Sequence, residues 1–539
     1  MLGHLLTTGL RPALAALLRR AALACALLGA TAAQALTPAQ ALAMAQGDSD
    51  ARIAAIQSAL QQPDASLAPY LRALADDAVV LADGRALVVR GGQASDPVTG
   101  AAAALPDNAE EVMNNNRLRG EIAAALAALN LFAPDTALRR AAAQAMLKQA
   151  SPAAIPLLER ALSEEKDTAV RQSLELARSA ALLGSDDADQ RREAAWSLGE
   201  SGSPQARLML QTRLAEESDE KVQAQLRRSL AQVDDRLAWG ERLGVVFTGI
   251  SLGSILLLVA LGLAITYGLM GVINMAHGEL MMIGAYATYM VQNLFQAYLP
   301  GAFDWYLLAA VPLSFLAAAA VGALMERSVL RFLYGRPLET LLATWGISLV
   351  LMQTVRTLFG AQNVGVENPV WMSGGWHLLP NLTLPLNRLV IIVFAAAVLL
   401  AMAWTISRTR LGLFVRGVTQ NRAMAACMGV NTARVDTMAF ALGSGVAGLA
   451  GCALSQVGNV GPDLGQSYIV DAFMVVVLGG VGQLLGTVYA ALGLGILGKF
   501  LEGWTGAVLA KIAVLVFIII FIQKRPQGIF AMKGRSAEA

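Results

Sequence analysis

The chain has 539 residues, 56% of them hydrophobic and only 15% charged. That balance excludes an ordinary soluble enzyme, and a formal charge of +2 offers no basic field for nucleic acid. Three cysteines (Cys25, Cys427, Cys452) and three histidines (His4, His277, His377) are too few and too scattered for a disulfide framework, a zinc site or a His-rich metal centre.

The chain opens with Arg11, Arg19 and Arg20, an apolar stretch from Ala21 to Ala33, and then Ala33-Gln34-Ala35. A basic start, a short apolar core and an A-x-A end describe a secretory signal peptide over 1–35. The apolar core is shorter than the roughly 20 residues a spanning helix needs. The chain from residue 36 onward is expected to be exported.

Residues 36–240 carry most of the charge and read as a soluble, mainly helical domain. Helices are expected at Pro38 to Leu42, Ala51 to Leu60 and Leu67 to Leu74. Val79 to Val89 is two β-prone runs around Asp83-Gly84, a hairpin signal. Residues 93–108, rich in Pro, Gly and Asp, read as a loop. From Leu118 the helical period returns, with Ala/Leu-rich segments at Arg139 to Met146, Ala153 to Leu162, Ala169 to Leu183, Arg191 to Leu198 and Ala206 to Leu214. The stretch 191–206 resembles a HEAT-type helix pair, and 138–145 and 170–177 echo its first helix. A spacing of about 30–40 residues suits a solenoid with a concave docking face, against the alternative of a plain helical spacer. There is no G-x-S-x-G and, within 36–240, no His or Cys, so nothing here reads as catalytic.

Residues 241–539 are the membrane domain. Nine apolar runs lie at roughly 244–269, 273–293, 305–325, 339–359, 388–407, 435–457, 468–482, 484–502 and 507–522. The seventh is short and Gly-rich and suits a broken or re-entrant helix, so eight or nine spans are expected. Arg327, Arg331 and Arg336 come after the third run, Arg408, Arg410, Arg416, Arg422 and Arg434 after the fifth, and Lys524, Arg525, Lys533 and Arg535 after the last, whereas the intervening loops have almost none. Basic loops stay in the cytoplasm. Nine crossings therefore put the soluble domain outside and the C-terminus inside. Gly249 with Gly253, Gly482 with Gly486, and Gly445, Gly448 and Gly451 are small faces for close helix contact.

Gly271-Val272-Ile273-Asn274-Met275-Ala276-His277-Gly278-Glu279 stands apart. An amide, an imidazole and a carboxylate at membrane depth are costly and mark a pathway by default. The alternative is a short aqueous turn with Asn274 capping a helix and Glu279 in its first turn. Gly493 to Lys499 imitates the start of a P-loop, but Phe500 replaces the Ser/Thr and the run is apolar, so no nucleotide site is expected.

Ile273 to Glu279 with Gly284-Ala285-Tyr286, then Arg336 to Gly346, Thr409-Arg410-Leu411-Gly412, Asn421 to Gly429 and Gln523 to Gly528 make 244–535 resemble permeases of the branched-chain amino acid class of ABC importers. An exported helical domain ahead of such a permease, with 336–346 and 458–466, resembles the urea-transporter branch. The resemblance implies an all-α polytopic permease, not an enzyme, in a bacterial inner membrane with its N-terminal domain periplasmic. It also implies a second permease as heterodimer partner, two cytoplasmic ATP-binding subunits that hydrolyse the ATP, and a periplasmic solute-binding protein. The permease itself needs no cofactor.

The loop 408–434 is then the coupling element, with Arg416, Asn421, Arg422, Ala425, Ala426 and Gly429 as its candidate residues. The Glu of the family's Glu-Ala-Ala pattern is missing. Urea needs closely spaced donors and acceptors, which Asn274, His277, Glu279, Glu339, Thr344, Gln353 and Asn459 can supply, and Tyr267 and Trp345 can bracket a flat solute. The expected function is ATP-driven import of urea or short amides. Branched-chain amino acid import is the alternative, and a passive urea channel is a reading from another class. A sensor is a further class, but the short tail after the last run leaves no room for a signalling domain.

Overall fold

A computed structural model describes residues 36–61, 66–106, 109–148, 150–525 and 528–530. The expected signal peptide over 1–35 lies outside the described residues, as do Pro526 and Gln527 of the last family motif. The chain forms two compact units, divided between Arg236 and Leu237.

The first unit opens with α1 (Pro38–Ala45), α2 (Ser49–Gln61) and α3 (Leu67–Ala75). Thr37 caps α1 through a capping box with Gln40. The expected hairpin is present as β1 (Val79–Ala82) and β2 (Arg85–Arg90), in register from Val79 opposite Val88 to Ala82 opposite Arg85. Asp83 and Gly84 both take positive φ, at 50° and 71°, as a two-residue turn of this hand requires. Here the sequence reading is corrected, because 93–108 is not only loop. β3 (Gln93–Ser95) and β4 (Ala102–Ala103) extend the hairpin and β5 (Glu110–Glu111) closes its other side, giving the order β4-β3-β2-β1-β5. The Asp96 carboxylate accepts from the Val98 and Thr99 amides at 2.8 and 2.9 Å and folds the chain back between β3 and β4. That local side-chain bond is invisible to a composition count.

Helices α4 (Asn116–Asn130), α5 (Thr136–Lys148), α6 (Ile155–Glu164), α7 (Thr168–Leu182), α8 (Ala188–Ser201) and α9 (Pro204–Glu216) come next, with α5, α6 and α8 all packed on α7. Met44, Ile56, Tyr70, Leu118 and Ile122 form one core and Ala143, Leu158, Val170 and Leu174 a second. One constellation recurs. Arg139 grips Glu165 and Arg191 grips Glu217, each pair 26 residues apart. Each glutamate also accepts from the two amides after it. The first constellation spans α5 and α6, and the second spans α8 and α9.

Helix α10 (Glu220–Met270) runs from the charged region into the apolar one. The second unit adds α11 (His277–Tyr298), α12 (Tyr306–Ser328), α13 (Pro337–Phe359), α14 (Leu386–Arg408), α15 (Arg410–Gln420), α16 (Arg422–Cys427), α17 (Thr432–Ser455), α18 (Leu464–Gly479), α19 (Leu484–Thr505) and α20 (Ala507–Lys524). The nine apolar runs all become helices. Among the described residues seven of them, α10, α12, α13, α14, α17, α19 and α20, are long and apolar enough to cross a membrane. α11 has the length but carries His277, Glu279, Gln292 and Asn293, and α18 is short at 16 residues. The loop between α13 and α14 holds a small hairpin, β6 (Gly375–Leu379) with β7 (Leu382–Pro385), where exposed His377 bonds Thr383.

α17 is the buried axis of this unit, packed against α11 and α12. The reason is its glycines. A Cβ at Gly451 would run into the Met281 carbonyl on α11, and one at Gly448 into the Ser314 carbonyl on α12. Gly249 and Gly253 of α10 lie as closely on α19. Lipid is as apolar as leucine, so close backbone contact rather than hydrophobic burial holds such helices together. The P-loop imitation lies inside α19, where Lys499 pairs with Glu502 at 2.7 Å.

Candidate functional site

The motif at 271–279 is a break between two helices inside the bundle. Gly271, at φ 63°, ends α10. The chain then runs unwound to His277, where α11 begins. The Asn274 side-chain oxygen Oδ1 accepts from the Ala276 amide at 3.1 Å, and Thr344 of α13 accepts from the Met275 amide at 3.2 Å. Asn274 thus shapes the turn into α11 while Ala276 holds the capping position. The aqueous turn considered from sequence is corrected, because Asn274, His277 and Glu279 are 1%, 0% and 1% exposed. Unwound backbone at membrane depth survives only where protein or a cavity surrounds it.

The two ionisable residues of the motif then part company. Two positions along a helix is about 200°, so they leave on opposite sides. His277 turns to α10, with Nε2 at 3.1 Å from the Val259 carbonyl and its ring against Gly262. A carbonyl only accepts, so Nε2 carries the proton and Nδ1 is the bare acceptor, without a hydrogen-bond partner. Glu279 turns to α13, where Oε1 accepts from the Ser348 hydroxyl at 3.0 Å and Oε2 has no partner.

Seven residues on, and therefore on the same face as Glu279, lies Tyr286. It is 2% exposed, its hydroxyl also lacks a partner, and its ring lies 4.7 Å from that of Phe359 on α13. A third wall comes from the start of α18. Gly278 packs on the Gly465 backbone, and Leu464 joins the apolar cluster of Met282, Ala285 and Tyr286. Asp463, the residue before α18, stands exposed at the edge of this seam. The seam between α11, α13 and α18 therefore holds two buried groups with unused hydrogen-bonding capacity, a hydroxyl donor at Ser348 and a second carboxylate at its rim. An unmet buried polar group costs about 1–3 kcal/mol, so such groups suit a polar solute in transit.

The other residues named from sequence scatter. Tyr267 is half-buried, with its ring 6.1 Å from that of Phe473. Thr344 is buried at the motif. Glu339 is exposed and paired with Arg336 at 3.1 Å, and Trp345 and Gln353 lie on the outer surface of α13. Asn459 is exposed in the segment before α18, which pairs with the loop after α13 through Val460 and Val364. The sequence reading missed Ser348, Tyr286 and Asp463. The seven-residue spacing of Glu279 and Tyr286 was the available signal.

The basic loop 408–434 forms two short helices, α15 and α16. Thr409 caps α15, and Asn421 caps α16 by accepting from the Met424 amide. The Gly429 amide donates to the Ala426 carbonyl at 3.0 Å, at φ 85°, and closes α16. Ala425 is buried, while Arg416, Asn421, Arg422, Ala426 and Gly429 are exposed. Arg416 lines a cleft of about 610 Å³ between α10, α14, α15, α17 and the turn before α19.

A helical bundle with a broken, polar-lined helix start at its centre and a basic helical loop on one side is the architecture of a polytopic membrane permease. The chain belongs to the branched-chain amino acid transport system / permease component family, whose pattern matches residues 245–523. It is similar to the high-affinity branched-chain amino acid transport system permease protein LivH of Escherichia coli (strain K12), with 29% identity over 296 residues, 53% of this chain and 94% of that protein. It is likewise similar to the corresponding protein BraD of Pseudomonas aeruginosa (28% over 287 residues, 52% and 93%). A shorter match is to the ribose import permease protein RbsC of Escherichia coli (strain K12), with 30% identity over 146 residues, 26% of this chain and 39% of that protein. No solved structure matches the chain. It is therefore an integral inner-membrane subunit of a multi-component ABC transporter and has no ATPase site of its own.

Proposed function

We propose that this chain forms half of the solute pathway of an ATP-driven importer for small zwitterionic amino acids of the branched-chain type. The observation that carries the reading is the Glu279 carboxylate, buried beside Tyr286 with one oxygen unused, at the junction of two helix starts. A zwitterion needs a countercharge for each end. Glu279 and Asp463 suit the ammonium group. The N-terminal ends of α11 and α18, which meet at Gly278 and Gly465, carry the partial positive charge that suits the carboxylate. The names of the relatives, LivH and BraD, support the same substrate class.

A second reading keeps urea or a short amide as the solute. It is favoured by residues 36–236, a folded unit that precedes the family match at 245 and resembles the extension of the urea branch. On either reading the loop 408–434 faces the cytoplasm and takes two ATP-hydrolysing subunits. The N-terminal unit, as a HEAT-like domain, is periplasmic, and a second permease and a solute-binding protein complete the machine.

The test is uptake of labelled leucine and labelled urea by cells with and without the gene, each with and without energy poisoning. Energy-dependent leucine uptake that disappears with the gene is expected. Loss of urea uptake alone moves the chain to the amide branch. Flux of either solute that survives poisoning overturns the ABC reading in favour of a channel.

A further inference from the structure

Two buried carboxylates outside the solute seam have no part in the pathway just described. Glu326, near the end of α12, and Asp436, near the start of α17, are both fully buried. Glu326 accepts from the Tyr334 hydroxyl at 2.8 Å and from the Thr437 hydroxyl at 2.6 Å, with Arg331 at 3.5 Å. Asp436 pairs with Arg422, the first residue of α16. The Arg422 guanidinium also lies over the Tyr334 ring, 5.2 Å from its centroid. One side chain of the basic loop therefore engages both α17, through Asp436, and the segment after α12, through Tyr334, whose hydroxyl is held by Glu326 of α12.

Burying a carboxylate is costly, and removing its partner leaves an uncompensated buried charge that costs more. A guanidinium does two things here that an ammonium does poorly, since it forks to a carboxylate and stacks flat on a ring. Arg422 is half exposed while Asp436 is not, so the contact has one face toward the loop's surroundings and one in the bundle. One helical turn beyond Asp436, Phe440 is fully buried in a cluster with Ala276, Leu280, Met325 and Leu330. Ala276 and Leu280 bracket His277 and Glu279. A contiguous packed path thus runs from Arg422 through Asp436 and Phe440 to the start of α11.

We propose that Arg422 is a clasp, a positioning residue that ties α16 to α17 and α12 so that movement of the loop is delivered to the α11 start. This rests on the importer reading above. It assigns Arg422 a role inside the permease rather than as a docking contact for an ATPase subunit.

The test uses the whole transporter, purified through a tag on this chain from its own cells and reconstituted in lipid vesicles. Labelled leucine or urea uptake and phosphate release are measured together. Arg422→Ala is expected to keep the assembly and its ATP hydrolysis within about twofold while uptake per ATP falls at least about tenfold, because loop movement is no longer delivered to the α11 start. Arg422→Lys, which keeps the charge but not the fork or the stack, recovers part of that ratio. Asp436→Asn, which preserves shape, lowers it like Arg422→Ala and serves if the first variant does not assemble. An unchanged ratio in assembled Arg422→Ala or Asp436→Asn overturns the clasp, as does loss of the ATPase subunits from an otherwise intact permease. If the unaltered transporter shows no ATP-driven uptake of either solute, the importer reading fails, a result distinct from failure of the clasp.

Discussion

Arg191 holds both carboxylate oxygens of Glu217, Nε at 2.8 Å and Nη2 at 3.0 Å, with the Glu217 side chain 1% exposed. The geometry is bidentate, and the same guanidinium donates from Nη1 to the Ser185 and Asp186 carbonyls. Arg139 and Glu165 repeat it earlier in the same unit. Hydrogen bonds from Arg191 hold the Glu217 carboxyl down from 4.5 to about 2, and those from Arg139 do the same for Glu165.

The folded state therefore binds protons at these carboxylates more weakly than the unfolded chain. Their contribution to stability is complete above about pH 4.5 and is lost as pH falls from there toward about 2. Glu217→Gln is expected to melt lower at pH 7 and to flatten the dependence below pH 4.5. Arg191→Ala leaves the buried carboxylate with Arg213 and the Ser218 and Asp219 amides and so costs about 1.5–3 kcal/mol, the worth of its lost charged hydrogen bonds. Thermal melts of the purified protein across pH check both.

Glu279→Gln separates the two solute readings. The amide keeps a carbonyl oxygen for Ser348 but loses the charge. If the solute is a zwitterion, uptake falls at least about tenfold, because one end loses its countercharge. If it is urea, Gln still offers an acceptor and uptake falls by less than about threefold. Initial rates of uptake at equal protein level in membranes give the answer.

Gly451→Leu drives a side chain into the Met281 carbonyl on α11. Overpacking typically costs about 1–3 kcal/mol, and here the obstacle is backbone that cannot swing aside. Reduced protein level and a lower melting temperature in detergent are expected. Gly346→Ala, in the middle of α13 with nothing within 4 Å of the new Cβ, is expected to be neutral or slightly stabilising.

Cys427 is exposed on α16 and Cys452 is buried in α17. With the basic loop in the cytoplasm, a membrane-impermeant maleimide leaves Cys427 unlabelled in intact cells and labels it after permeabilisation. Leu208→Cys, at an exposed site on α9, labels in cells whose outer membrane alone is opened if the first unit is periplasmic. The reverse pattern inverts the topology.

Much of the architecture was legible along the chain. Each of the nine apolar runs is a helix, the Asp83-Gly84 turn is where the hairpin bends, and Gly249, Gly253, Gly448 and Gly451 all lie at close helix contacts. These features depend on local period, turn chemistry and side-chain size, which neighbours in sequence reveal. The strands at 93–103 were missed because one Asp96 side chain, rather than a β-prone run, folds them back.

The candidate site was legible only in part. The sequence by itself marked 271–279 as polar residues in an apolar setting, and it separated a charged region from a spanning one. It did not say which way each polar side chain turns. In lipid both faces of a helix are apolar, so hydropathy does not distinguish the inward face from the outward one. The tertiary structure decided that His277 and Glu279 point apart, that Trp345 and Glu339 lie outside, and that Ser348, Tyr286 and Asp463 gather at Glu279. It also brought Glu326, Arg422 and Asp436 together from three separate elements. Such meetings are set by which backbones approach closely enough to pack, a property of pairs of helices that no single stretch of sequence carries.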